Sequence, residues 1–316
     1  MASALVILIL LIAGLVAAAV LWTRYLGRDV EKLVPQAGQI RPVEGGAIHY
    51  VDLGPRDAPV VVLIHGLSGQ LQHFTYGVTD LLEQEYRLIA VDRPGCGYSS
   101  RDSDALAALP QQARMIWALL DALGVERPVL AGHSLGGAVS LAMALDRPER
   151  VAALALIAPL SHPQEGDIPA FKGLEVASPL MRRVIAHTLA VPMARRTAAQ
   201  VLEQVFRPEP CPEDFLTRGG GALGLRPKAF IAASADYMAA NAGIAAQQAR
   251  YAGGLKVPGG VLFGAGDYLL PPARHGTPMA AFGLGCEEVA GRGHMLPITG
   301  PEICADFIRR MAAKGP

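Results

Sequence analysis

The run Gly132-His133-Ser134-Leu135-Gly136 constrains this chain more than any other, because of what flanks it. Pro128-Val129-Leu130-Ala131 reads as a short buried strand, and residues 137–145 read as a helix. A Gly-x-Ser-x-Gly run between a strand and a helix forms a very tight turn. Its flanking positions must be small, and the serine hydroxyl is left exposed above the sheet. Ser134 is therefore the candidate nucleophile.

Two further residues follow in an order that suits it. Residues 261–264 read as a strand, and the loop Ala265-Gly266-Asp267 places Asp267 at its carboxyl end. Residues 286–290 read as a last strand, and the loop 291–297 carries His294 ahead of a closing helix at 301–311. A serine hydroxyl is a poor nucleophile at neutral pH, so an imidazole must take its proton as it attacks a carbonyl. A carboxylate beside that imidazole fixes the tautomer and stabilises the imidazolium. Ser134, His294 and Asp267 supply these three groups. The developing oxyanion needs donors, and the backbone N–H of Leu135, at the start of a helix, is one. The second is the N–H of Leu67, in the loop His65-Gly66-Leu67-Ser68-Gly69 after the strand Val60–Ile64. His65 is expected to pin that loop rather than transfer protons.

These segments, with Asp92-Arg93-Pro94-Gly95-Cys96-Gly97-Tyr98-Ser99, resemble the α/β-hydrolase fold superfamily in its capped, serine-nucleophile, esterase/lipase-like branch. The resemblance runs from Ile40 to Met311 apart from the middle section. It implies an α/β fold: a mostly parallel, eight-stranded-type sheet with helices on both faces and a helical cap insertion. It implies a scaffolding role for Asp92. Relatives that open epoxides or remove halide carry aspartate at the elbow, so Ser134 points instead to acyl chemistry on esters, thioesters, lactones or amides. Carbon–carbon bond hydrolysis, cofactor-free perhydrolysis and acyl transfer are alternatives on the same triad. A catalytically silent binding module is the alternative of another class; it would show an incomplete triad or a spoiled elbow, and neither is present.

The 316 residues suffice for one large α/β domain with an insertion. Lysine and arginine balance aspartate and glutamate at 28 each, which gives no reason to expect a nucleic-acid partner. Cys96, Cys211, Cys286 and Cys304 are scattered without C-x-x-C or Cys/His spacing, so neither a metal nor a cofactor is implied.

The N-terminus is a separate feature. Residues 4–22 are unbroken apolar sequence. As a helix they span about 28 Å at 1.5 Å per residue, against a bilayer hydrocarbon core of about 30 Å. A retained single-pass anchor, as in a bacterial inner membrane, is the expectation. A cleaved signal peptide is the alternative, with Ala17-Ala18-Ala19 as small residues for cleavage, although no lysine or arginine precedes the run. Arg24, Arg28 and Lys32 follow it, which favours a cytoplasmic catalytic domain and leaves a periplasmic one open.

The expected organisation is an anchor at 1–23, a linker at 24–38, a hydrolase core at 39–160 and 257–316, and a helical cap at 161–256. A hairpin is expected from strands 39–44 and 47–53, then strands Val60–Ile64 and Arg87–Val91, a helix at 104–123 and a strand at 151–157. The cap reads as helical pieces at 179–190, 194–206, 227–240 and 242–251. The functional expectation is a membrane-anchored serine hydrolase acting on a small, lipophilic carboxylic ester, in contact with the bilayer through residues 4–22.

Overall fold

A computed structural model describes residues 2–166 and 168–315. Nine strands form one sheet: β1 (Gln39–Val43), β2 (Gly46–Leu53), β3 (Val60–Ile64), β4 (Arg87–Val91), β5 (Ser100–Arg101), β6 (Val129–His133), β7 (Ala153–Ile157), β8 (Gly259–Gly264) and β9 (Gly285–Val289). Their order is β1-β2-β4-β3-β6-β7-β8-β9, with the two-residue β5 beside β2. All pairings from β4 to β9 are parallel, and those involving β1, β2 and β5 are antiparallel. Eight strands make the main path as expected. The ninth is too short to leave a sequence pattern.

The parallel strands read as continuous apolar runs because both faces of the sheet are covered. Successive side chains alternate between two cores. Val62, Ile64, Leu130, Leu154 and Leu156 point to one, with Trp117 and Val139. Val61, Leu63, Ala131, Ala155 and Ile157 point to the other, with Phe307 and Ile308. The helices Leu109–Ala122 and Leu135–Asp146 cover the first face, and Pro301–Ala312 contributes to the second. The single helix expected at 104–123 is divided into a 3₁₀ turn, Asp104–Ala107, and the helix Leu109–Ala122. Pro110 sits in the latter's first turn, where its missing N–H costs nothing.

Between β7 and β8 the chain leaves the sheet and builds a helical insertion. The pieces expected at 179–190 and 194–206 are one continuous rod: helix Pro179–Ile185, a π-helical turn Ala186–Ala190 and helix Val191–Phe206. Pro192 lies within this rod. It cannot donate to the carbonyl of Thr188 four residues back, and that carbonyl accepts instead from Thr23 Oγ1 at 2.9 Å. The pieces expected at 227–240 and 242–251 also merge, into helix Pro227–Gln248 with a short turn Tyr251–Gly254 after it.

The N-terminal helix runs Ala2–Gly27, and Thr23 is its buried residue. Its apolar stretch is long enough and apolar enough to fit either a membrane span or a signal sequence. The segment expected as a linker, 24–38, carries helical structure. The helix continues through its start, and a second short helix, Val30–Leu33, follows. Val30 and Val34 bury themselves against Ala222 and Leu223 of the insertion, which explains why this stretch is folded down.

Candidate active site

The elbow between β6 and the helix Leu135–Asp146 is as tight as its sequence requires. Ser134 has φ +54° and ψ −120°, a strained conformation for a residue with a side chain. A Cβ on Gly132 would lie 2.3 Å from Ser140 Oγ, and one on Gly136 would lie 2.0 Å from the carbonyl oxygen of Ile64. Glycine at these two positions lets the helix close onto β3. Leu135 opens that helix, so its N–H belongs to the first turn, where no intrahelical acceptor exists.

Asp267 follows β8, as expected. Its Oδ1 accepts from the backbone N–H groups of Leu269 and Leu270, both at 3.0 Å, which locks the carboxylate. Its Oδ2 lies 2.7 Å from Nδ1 of His294. With a carboxylate there, Nδ1 carries the proton and donates it, leaving the lone pair on Nε2 for another partner. Ser134 and His294 line one cavity; among the described residues no hydrogen bond joins Ser134 Oγ to the ring. Ser134, Asp267 and His294 are 9%, 3% and 5% exposed.

That cavity is about 50 Å³, lined by Leu67, Leu135, Leu160, Leu269 and Leu270 from the sheet side and by Ile168, Phe171, Tyr237 and Asn241 from the insertion. The insertion therefore covers Ser134. A larger, more open cavity of about 590 Å³ lies beside it, lined by His162, Glu165, Arg274 and Pro278; Gln164 borders both. The backbone N–H groups of Leu67 and Leu135 belong to residues on the Ser134 cavity. Among the described residues, that of Leu67 donates to no acceptor.

Several supports escaped the sequence reading. Glu209 of the insertion accepts from Gly293 N at 2.8 Å and from Arg292 Nη1 at 2.7 Å, gripping the loop that carries His294. His133 places its Nε2 3.0 Å from the carbonyl oxygen of His294 and holds the same loop from below. Arg93 is fully buried; its Nε donates to His65 O and its Nη2 to Gly66 O, both at 2.9 Å, next to Leu67. The only local signal for Arg93 is its place in the Asp92–Ser99 loop. His65 is itself buried in this loop: Nε2 accepts from Arg93 N at 2.9 Å and Nδ1 donates to Gly66 O at 2.8 Å. Asp92 is bonded three ways, to Leu71 N, Tyr98 N and His49 Nδ1 at 2.7, 2.8 and 2.7 Å.

Burial dominates the electrostatics around the triad. It holds His65 and His133 well below the usual histidine range and His73 down at about 4. These three rings therefore stay neutral at neutral pH. Among the described residues no cluster of His, Cys, Asp or Glu has the makeup of a metal site.

The model of the alpha/beta hydrolase fold family matches residues 59–218, half of the chain. A protein from Variovorax paradoxus, provisionally named a carbamate hydrolase, is 41% identical over 116 residues, which is 37% of this chain and 44% of that protein. The chain spans less than half the length of the curated relatives it matches. Among solved structures, Cfl2 from Burkholderia cenocepacia superposes with a TM-score of 0.72 at 23% identity, covering 86% of this chain and 94% of that one. The carboxylesterase CesB from Bacillus subtilis superposes at 0.62 and 19%, covering 95% and 100%. At these identities the two structures speak for the fold alone.

Proposed function

The chain belongs to the α/β-hydrolase fold family, and we propose that it is a membrane-anchored serine hydrolase cleaving apolar carboxylic esters through an acyl-enzyme. The observation that carries this reading is the 2.7 Å contact between His294 Nδ1 and Asp267 Oδ2, with His294 lining the same cavity as a strained Ser134.

In the proposed reaction, Ser134 Oγ attacks the ester carbonyl and passes its proton to His294 Nε2. The imidazolium is stabilised by Asp267, and the oxyanion is held by the N–H groups of Leu67 and Leu135. Collapse breaks the bond to the alkoxy oxygen, which leaves as the alcohol with the proton from His294. Water, deprotonated by the same imidazole, then attacks the acyl-enzyme; collapse frees the acid and returns the proton to Ser134. The leucine-rich cavity wall favours an apolar acyl or alcohol group over a charged one. The carbamate hydrolase name of the Variovorax relative is consistent with acyl chemistry at this serine.

The apolar helix supports retention at a membrane. Arg24, Arg28 and Lys32 after it favour a cytoplasmic catalytic domain by the positive-inside rule. The test is labelling by a fluorophosphonate probe of the native chain and of Ser134→Ala, in membrane and soluble fractions. Labelling of the native chain alone, in membranes and at full-length mass, is the expected result. Labelling that survives Ser134→Ala removes the proposed nucleophile, and a shortened, soluble labelled chain removes the anchor.

A further inference from the structure

The rod that crosses the insertion carries an apolar row exposed on its outer side. Leu180, Val184, Leu189 and Met193 are 74%, 46%, 59% and 54% exposed. Their steps along the chain are four, five and four residues. In an α-helix a step of four keeps neighbours on one face, whereas a step of five turns the side chain roughly 140° away. The π turn Ala186–Ala190 falls at the five-residue step and takes in the extra residue. The four side chains thus form one stripe, while Arg182, Ala186 and Val191 are buried behind it.

The position of the stripe is set by the N-terminal helix. Thr23 Oγ1 donates to Thr188 O, and Arg195 Nη2 donates to Leu26 O, both at 2.9 Å. Leu189 and Met193 lie between these two attachment points. At the same level Trp22 and Tyr25 stack with centroids 5.7 Å apart, more than half exposed. Arg195 and Arg196 are exposed next to Met193 in the chain, and Arg183, also exposed, is paired with Asp104. An exposed apolar stripe with exposed arginines next to it in the chain, fixed beside an aromatic pair at the end of a long apolar helix, has the makeup of a helix lying in the headgroup–acyl boundary.

We propose that the rod Pro179–Ile185 to Val191–Phe206 is a second membrane contact, its stripe seated in the interface of a bilayer containing anionic lipid. This rests on the reading of residues 4–22 as a retained anchor. The insertion over Ser134 is then held at the lipid surface at two places, by the N-terminal helix and by its own apolar row.

The test uses the full chain in phosphatidylcholine–phosphatidylglycerol vesicles containing nitroxide lipids. Cys211→Ser and Cys286→Ser leave only the buried Cys96 and Cys304. A nitrobenzoxadiazole label is placed through Leu189→Cys, Met193→Cys, Leu15→Cys or Glu126→Cys. Labels at 189 and 193 should lose most of their fluorescence to a shallow nitroxide, the label at 15 to a deep one, and the label at 126 to neither. Quenching at 15 without quenching at 189 and 193 overturns the docking surface and keeps the anchor. Labels at 189 and 193 that are shielded from aqueous iodide but not quenched by lipid assign the stripe to a second copy of the chain, which also overturns it. No quenching at 15 removes the anchor and the proposal together.

Discussion

Arg93 Nη1 donates to Asp236 Oδ2 across 2.6 Å, between two side chains with no exposure to solvent. The pair joins the loop after β4 to helix Pro227–Gln248 of the insertion. The same guanidinium holds the carbonyls of His65 and Gly66, and Asp236 directly precedes Tyr237 on the cavity wall. One buried cation therefore sets the loop of Leu67 and the roof above Ser134 together.

Removing the anion leaves Arg93 buried and uncompensated. Asp236→Ala should destabilise the chain by about 3–5 kcal/mol and lower the turnover of the proposed enzyme. The urea midpoint and kcat are the readouts. A change of less than about 1 kcal/mol would show that Gln112 Oε1, 2.8 Å from the same guanidinium, suffices as partner.

Gly136→Ala puts a methyl group 2.0 Å from Ile64 O and 2.5 Å from His65 O, both backbone atoms that cannot swing aside. Overpacking of this kind costs about 1–3 kcal/mol. The helix must move off β3 and carry Leu135 with it, so probe labelling of Ser134 should slow by more than stability falls. Unchanged labelling would mean that the elbow tolerates the shift.

Acid should unfold this chain from below the histidine range. His65 and His133 are held well below their ordinary value by burial, His73 at about 4 and His275 at about 3. Between about pH 6.5 and 4 the unfolded chain binds protons at these sites and the folded chain does not. Stability is therefore complete above this window and lost as pH falls through it, each histidine adding up to about 1.4 kcal/mol per pH unit. Urea titrations across the window should show this slope, flattened by one proton in His73→Gln. An identical slope in that variant would rule His73 out.

Asp267→Asn keeps the shape of the side chain but favours the wrong imidazole tautomer on His294. In serine triads such a change lowers kcat by about 10⁴ with the geometry intact. Steady-state kinetics and circular dichroism melts on one preparation check both halves of this expectation. Full activity would dismiss Asp267 from the proposed triad.

How legible these features were depends on the range of the forces behind them. β3 and β4 were read to the residue, because strands buried on both faces show as apolar runs with sharp ends, Val60–Ile64 and Arg87–Val91. The residues around Ser134 were legible because a turn that admits no Cβ leaves glycines behind. The Arg93–Asp236 pair was not, since two charges 143 positions apart make no local pattern. Nor was the unbroken rod of the insertion. Pro192 argues for a stop, and the Thr23 hydroxyl that takes up the freed Thr188 carbonyl lies 165 residues upstream.

The cavity over Ser134 is small, about 50 Å³, and the insertion supplies Ile168, Phe171, Tyr237 and Asn241 to its wall. For the proposed enzyme, the substrate meets a wall shared between the loops that hold the triad and the helices of the insertion. Two kinds of variant then separate by their effect. Loosening the Arg93–Asp236 tie should change the activity on all substrates by one common factor, whereas reshaping the wall at Ile168 or Phe171 should change the ratio between them. In the proposed enzyme, rate and preference are then set from opposite sides of one cavity.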